Sequence, residues 1–317
     1  MRRLIDLAIA AALVGLGLVA GLSLLDVTSR PVVVLQTAGP FVVLALLLVL
    51  LATLLLRRWW MLVPVGLALV VAGVVAVPAF IAHTTPGADR DLTVMAANLK
   101  IGQADPEQLM TAVRDHAVDV LVLTEVTPAE VQRLDAAGAD TYFTAREGQS
   151  VANSPTGSLV WSRYPLSLVS PGDDGSLEHT PNRQPEVSVS VNGARVRLKA
   201  VHTMAPLPTL MGDWRASLLA LQQWRQRQPA GEPFLMAGDF NSSAGHPGFR
   251  AVADGTVDAQ RAAGQGWVRT WPFAGQRLPA YVQLDHLLSR GLVLVEAGQV
   301  AMHGTDHAAV WAAYALD

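Results

Sequence analysis

Apolar and polar residues follow two regimes along this chain. Through position 82 the sequence is almost continuously apolar, in three runs at residues 4–25, 32–56 and 61–82. The first run is interrupted by Asp6, Ser23 and several glycines, the second by Gln36, Thr37 and Thr53, and the third holds no charge. About 20 apolar residues suffice to cross the hydrocarbon of a bilayer. A helix that is apolar all round also lacks the amphipathic stripe of a soluble core helix. The pattern predicts three transmembrane helices within a membrane region at 1–82. Arg2 and Arg3 precede the first run, and Arg57 and Arg58 separate the second from the third, with Trp59 and Trp60 beside them. Only Arg30 lies between the first two. The positive-inside bias then puts the N-terminus and the Arg57 turn in the cytoplasm. Everything after residue 82 faces outward, which makes this a multi-pass cell-membrane protein with an extracytoplasmic domain. The basic start fits a signal peptide as well.

A polar link at 83–91 leads into the second regime, residues 92–317, where short apolar runs alternate with amphipathic ones. Strands are predicted at "LTVMAAN", ending on Asn98, and at "VDVLVLTE", ending on Glu125. A helix is predicted over 106–116 behind the N-cap Asp105, and another after Thr127 with Glu130 completing a capping box. "GSLVWSRYPL" supplies a further strand. "PEVSVSVNGARVRLKAVH" reads as a hairpin turning at Asn192-Gly193. A helix over 211–226 and strands at "PFLMAGDFN", "VQLDHLLS" and "HAAVWAAYAL" complete an α/β pattern. It contains no internal repeat or low-complexity tract.

Charge and composition narrow the chemistry. The chain has no cysteine, which excludes disulfides, zinc-thiolate sites and a cysteine nucleophile. Any metal would be held by oxygen or imidazole ligands. Residues 83–317 carry 18 basic and 24 acidic side chains, a net of −6, with Lys100 and Lys199 as the only lysines. Nonspecific binding of long nucleic acid calls for a basic face, so this balance weighs against it.

The predicted strands end in polar groups: Asn98, Glu125, His202, Asp239 with Asn241, Asp285, and the pair Asp306 and His307 ahead of the last strand. One such ending is ordinary, since Asp, Asn, Ser and Gly all favour turns. Six suggest one polar site at a sheet edge, suited to a hard cation such as Mg²⁺ beside a general base. His286 alternates away from Asp285 and reads as packing or surface; His246 and His303 read as loop residues. Arg163 reads equally as a phosphate ligand or as the partner of a nearby acid, and Arg183 is a weaker phosphate candidate.

The set "MAANLK", "LVLTEVT", "GSLVWSRYPL", "KAVHTMAP", "MAGDFNS", "VQLDHLLS" and "GTDHAAV" resembles, in order, the endonuclease/exonuclease/phosphatase family, and most of all its bacterial branch with N-terminal membrane spans. The resemblance implies a four-layer α/β/β/α sandwich of the deoxyribonuclease type over about 92–317. It implies Mg²⁺, or Mn²⁺ in its place, on Glu125 with Asn98 and Asp306. His307 would act as general base or proton donor with its ring oriented by Asp285. Asp239 would position or deprotonate the attacking water, and Asn241 and His202 would bind the phosphoryl oxygens. An Asp-oriented imidazole titrating near pH 7 suits such a role. Thr305 and Ala309 stand where the family often has Ser and Pro; Thr keeps the hydroxyl. The implied activity is metal-dependent hydrolysis of a phosphoester in a lipid, a nucleic acid or a small metabolite, with no protein partner. A nuclease, or a non-catalytic interaction domain on the same fold, is the alternative.

Overall fold

The computed structural model describes residues 2–172, 181–273 and 279–316. Four apolar helices come first: α1 (Arg2–Leu22), α2 (Arg30–Gln36), α3 (Gly39–Leu55) and α4 (Leu62–Ala76). The expectation of three continuous spanning helices is corrected here. Among the described residues, α1 alone is a single helix long and apolar enough to cross a membrane. The second run is broken into α2 and α3, bent by 62°. Pro40 opens α3, and a proline lacks the N–H and disfavours helical backbone in the residue before it. The third run is a 15-residue helix that tightens into a 3₁₀ turn, Val77–Phe80, with Pro78 in its first turn. Met61 and Val65 bury against Ile9 of α1. Asp6, the one acid within α1, is paired with Arg58 at 3.0 Å.

Two six-stranded sheets follow. In chain order the elements are β1 (Leu92–Asn98), α5 (Pro106–Asp115), β2 (Val120–Thr124), α6 (Pro128–Ala136), α7 (Ala139–Tyr142), β3 (Ala145–Gln149), β4 (Ser158–Ser162), β5 (Leu166–Ser170), β6 (Glu186–Val191) and β7 (Ala194–His202). Then come α8 (Met211–Arg227), β8 (Phe234–Asp239), α9 (Pro247–Ala253), β9 (Val257–Asp258), α10 (Ala259–Ala262), β10 (Asp285–Arg290), β11 (Val293–Ala301) and β12 (Ala308–Ala315). The sheet orders are β11-β12-β1-β2-β4-β3 and β5-β6-β7-β8-β10-β9.

Strand alternation makes the layers. Val94, Ala96, Val120 and Val122 of the first sheet meet Val187, Leu198, Ala200 and Leu235 of the second in a dry core. The opposite face of the first sheet, with Met95, Leu121 and Leu123, packs on Leu109 and Val113 of α5 and Leu134 of α6. The outer face of the second, with Val201, Met236 and Leu288, packs on Trp214 and Leu218 of α8 and Phe249 of α9. Helix, sheet, sheet, helix is the four-layer order expected.

Local signals work as anticipated, with one exception. Asp105 caps α5 by accepting from the Glu107 and Gln108 amides, and Asn192 and Gly193 turn the β6–β7 hairpin with positive φ. Thr127 caps α6, but the capping box is half built: the Glu130 carboxylate turns to Arg133 instead of reaching back. Each sheet is centred on a parallel pair, β1 with β2 and β7 with β8, and these four strands carry the polar endings at their C-terminal ends.

Candidate active site

Register alone brings the site together. On the second sheet His202 pairs with Asp239 across β7 and β8, and Asp239 pairs with Asp285 across β8 and β10. Three polar residues thus stand abreast on neighbouring strands. Gly238, with φ 141, makes this possible: a Cβ there would lie 2.1 Å from Val201 O. On the first sheet Asn98 pairs with Thr124, and Glu125 follows with φ 57. That left-handed backbone swings its carboxylate over the strand ends. Asn241 takes a similar φ of 43.

The hydrogen bonds converge on Asp239. Asn98 Nδ2 donates to Asp239 Oδ2 at 3.0 Å and to Glu125 Oε1 at 3.1 Å, bridging the two sheets. Asn98 Oδ1 accepts from the Lys100 amide, so the side chain holds two carboxylates by its nitrogen. The Ile101 amide donates to Glu125 Oε2. The Asn241 amide N–H donates to Asp239 Oδ1 at 2.7 Å, and its Nδ2 to Thr203 O at 3.0 Å. His307 Nδ1 donates to Asp285 Oδ2 at 2.8 Å, and its Nε2 stands 3.8 Å from Asp239 Oδ2. His202 Nε2 lies 3.8 Å from Glu125 Oε1 and 4.0 Å from Asp239 Oδ2. Lys100 Nζ approaches Asp306 Oδ1 at 3.9 Å.

All eight residues singled out in the sequence therefore lie together where the strand ends of the two packed sheets meet. Arg163 does not join them: it pairs with Asp119 at 3.0 Å and lies over the Tyr142 ring. Arg183 sits where its amide meets Thr156 O. His286 is packing, as expected, bridging Asp258 and Ser242 O. His303 is an exposed loop residue. His246 is more than that, being 2 % exposed and bonded on both ring nitrogens.

Sequence reasoning marked the Thr305 hydroxyl but missed the other supports. Thr270 Oγ1 accepts from the Leu284 and Asp285 amides and so fixes the start of β10. Thr305 Oγ1 donates to Asn98 O and accepts from the His307 amide, tying the end of β1 to the turn before β12. Trp214 Nε1 donates to Asn241 O. Lys100 was legible in principle, as one of two lysines directly beyond Asn98.

The electrostatics are those of buried, crowded acids. Burial raises the Glu125 carboxyl above its ordinary range; the Asn98 hydrogen bond opposes this, and Asp239 and Asp306 add to it. Burial likewise raises Asp239, against the pull of His307. Burial lowers His202. Burial also pulls His307 down, but Asp285, Asp239 and Asp306 together outweigh it and push the ring up to about 10. These neighbours favour the imidazolium, where an Asp partner alone would leave the ring titrating near 7.

This donor set fits a divalent cation. Acids gathered out of water repel one another unless a positive charge joins them, and oxygen ligands suit a hard ion. Ligand atoms of Asp239, Asp285 and His307 also lie within 4.8 Å of one another. The 2.8 Å bond between Asp285 and His307 already engages two of those three, so Glu125 with its neighbouring acids is the better cradle.

Comparison with known proteins agrees with this fold. Residues 95–307 match the Endonuclease/Exonuclease/phosphatase family. The uncharacterized protein YbhP of Escherichia coli strain K12 is 32% identical over 170 residues, 44% of this chain. That match spans 61% of YbhP. Among solved structures, humanized D. rerio TDP2 is similar with a TM-score of 0.56 at 14% identity, over 71% of this chain and 98% of that one. D. rerio TDP2 complexed with single strand DNA product gives 0.56 at 16% identity, over 72% and 100%. A functionally unknown conserved protein from Enterococcus faecalis V583 gives 0.55 at 13% identity, over 71% and 100%. At these identities the structural likeness speaks for the fold. With the family match covering most of the chain and the strand-end residues assembled at one edge, this chain belongs to the endonuclease/exonuclease/phosphatase family.

Proposed function

We propose that this protein is a membrane-anchored, Mg²⁺-dependent phosphodiesterase whose catalytic domain stands on the extracytoplasmic side. The observation that carries the reading is the row His202, Asp239 and Asp285 abreast on three strands, closed from the other sheet by Asn98 and Glu125. Glu125, with Asp306 and Asn98 beside it, would hold the cation. A bound Mg²⁺ supplies charge neutralisation at the non-bridging phosphoryl oxygens.

The remaining steps belong to the side chains. Asp239, held by Asn98 and Asn241, orients the attacking water and takes its proton. The water oxygen bonds to phosphorus, one ester P–O bond breaks, and the products are a phosphomonoester and an alcohol. His307, protonated and fixed by Asp285, donates through Nε2 to the charge that develops on the phosphate or the leaving oxygen. Asn241 and His202 contact the other phosphoryl oxygens.

The anchor reading rests on exposure. The apolar flanks of the helices cover little of one another: Leu4 is 70%, Leu48 66%, Val63 77% and Val74 72% exposed. Contiguous apolar surface of that extent needs a partner phase, and only 6% of the apolar stretch of α1 is buried, unlike a soluble core helix. The Asp6–Arg58 pair joins the two arginine-bearing helix ends, and the positive-inside bias supports placing them in the cytoplasm. A nuclease reading draws on the single-strand DNA complex of TDP2 and is weakened by the acidic charge balance.

The test is Mg²⁺-dependent hydrolysis of bis-p-nitrophenyl phosphate by the full chain in detergent. His307→Ala should lower turnover by at least roughly 10²-fold, the scale of a positioned acid or base; unchanged turnover removes His307 from the chemistry.

A further inference from the structure

The apolar helices and their connections meet the catalytic domain along the loops beyond the strand ends and on α8 and α9 beside them, where Arg215 pairs with Asp26 and Arg250 donates to Ser23 O, and that placement narrows the substrate. The strand ends that carry the site continue into loops at 203–210 after β7 and 240–246 after β8, and residues 263–273 and 279–284 lead into β10. The apolar helices and their connections touch all three. Arg30 Nε, opening α2, donates to Pro206 O. Val33 is 1% exposed and packs among Val201, Trp214 and Phe240. Its carbonyl accepts from His246 Nε2 at 3.0 Å. Gly245 lies so close to α2 that a Cβ would stand 2.0 Å from Gln36 O. Phe41, in the first turn of α3, meets Trp267 edge-on at 5.1 Å. Beyond α4, Ala79 O accepts from the Gly266 amide at 2.7 Å.

These helices thus reach the domain through the face that bears the site. Two rim residues on that face are themselves apolar and exposed: Ile101, beyond Asn98, at 38%, and Leu207, beyond His202, at 48%. We infer that the site opens at the level of the bilayer surface and draws its phosphodiester from the membrane, as an amphiphile whose phosphate lies in the headgroup layer. This rests on the phosphodiesterase reading above. Apolar rim residues beside docked apolar helices settle into an interface, while the phosphate reaches the polar strand ends behind them. A long polyanion would meet a mouth hemmed by lipid-facing helices on a domain of net charge −6.

The experiment uses the full chain in vesicles of phosphatidylcholine, phosphatidylethanolamine and phosphatidylglycerol with Mg²⁺, following lipid phosphodiester cleavage by phosphorus NMR. The same preparation is assayed on bis-p-nitrophenyl phosphate and on single-stranded DNA. Lipid turnover should rise with the mole fraction of these diester lipids when cholesterol, which carries no phosphate, makes up the remainder at fixed total lipid. Gly245→Leu, which pushes α2 off the domain, should lower the ratio of lipid to soluble-diester turnover at least roughly tenfold. Leu207→Asp should do the same from an exposed position that carries no fold risk. Cleavage of the soluble diester with no vesicle lipid consumed overturns this inference and leaves the phosphodiesterase reading standing. DNA turnover exceeding lipid turnover, with both variants neutral, overturns it as well. Silence on all three substrates, with His307→Ala indistinguishable from wild type, sinks the phosphodiesterase reading and this inference with it.

Discussion

The His307 imidazole sits between two aspartates at unequal distances. Nδ1 donates to Asp285 Oδ2 at 2.8 Å, while Nε2 stands 3.8 Å from Asp239 Oδ2. The first is a charge-assisted hydrogen bond. The second is too long for one, and leaves room for an oxygen that contacts both atoms. That asymmetry supports the proposed division of roles, with Asp285 orienting the ring and Nε2 left to face a reacting oxygen.

Asp285→Asn should therefore change the pH profile as well as the rate. Burial lowers the His307 pKa, and Asp285 is the largest of the charges that raise it. Removing that charge moves the ring to lower pKa, so the alkaline limb of kcat/KM on bis-p-nitrophenyl phosphate shifts toward lower pH. A variant that is slower but keeps its limb in place would show that Asp285 acts through packing alone.

Glu125→Gln should separate metal binding from folding. Glu125 is held by Asn98 and the Ile101 amide among acids that repel it. Without Mg²⁺ the amide relieves that repulsion but turns its NH2 toward one of the two donors, so the melting temperature should change little. Wild type should gain stability with Mg²⁺, about 2.7 kcal/mol at a hundredfold excess over Kd, and the variant should gain far less. Equal Mg²⁺ stabilisation of both proteins would move the metal elsewhere.

Gly238→Ala probes how the strands deliver Asp239. The residue has φ 141 and faces Val201 O at a distance no Cβ tolerates. The substitution forces β7 and β8 apart where His202 and Asp239 pair. A loss of about 3 kcal/mol is expected, the scale of backbone strain, together with loss of turnover. Urea unfolding and the soluble-diester assay check it; a silent variant would mean that the strands can move apart freely.

The central strands and the polar residues at their ends could be read from the sequence because each buried run stops abruptly at an acid, amide or imidazole. The strands β3 and β11 could not. Both lie at sheet edges, where one side meets water, and "AREGQ" and "VLVEAGQVA" carry charges and a glycine accordingly. Of the site's backbone supports, Thr305 is marked in the sequence by its hydroxyl ahead of Asp306 and His307, while Thr270 looks like an ordinary loop residue until the loops close. The docking of α2 was hidden for a different reason. Val33 stands in a run of valines and leucines that reads as lipid-facing throughout, and only the fold distinguishes the one that enters the domain.

That docking should itself depend on pH through His246. The Ser243 amide and Ser242 hydroxyl donate to Nδ1, and Nε2–H donates to Val33 O. Both nitrogens are thereby committed to the neutral tautomer, and a proton on Nδ1 would break the two bonds it accepts. Burial is the leading cause that lowers His246 from 6.5 to about 4. The sign follows from linkage: between those values the unfolded chain binds the extra proton and the folded one does not. The stability is fully present above pH 6.5 and is lost as pH falls toward 4, by about 3 kcal/mol at most. Carboxylates titrate in part of the same window, so the comparison is between proteins. Wild type should lose more melting temperature between pH 7 and pH 4.5 than His246→Gln, whose amide cannot take up the proton. Parallel loss in both would place the acid sensitivity on carboxylates and leave His246 without a part in it.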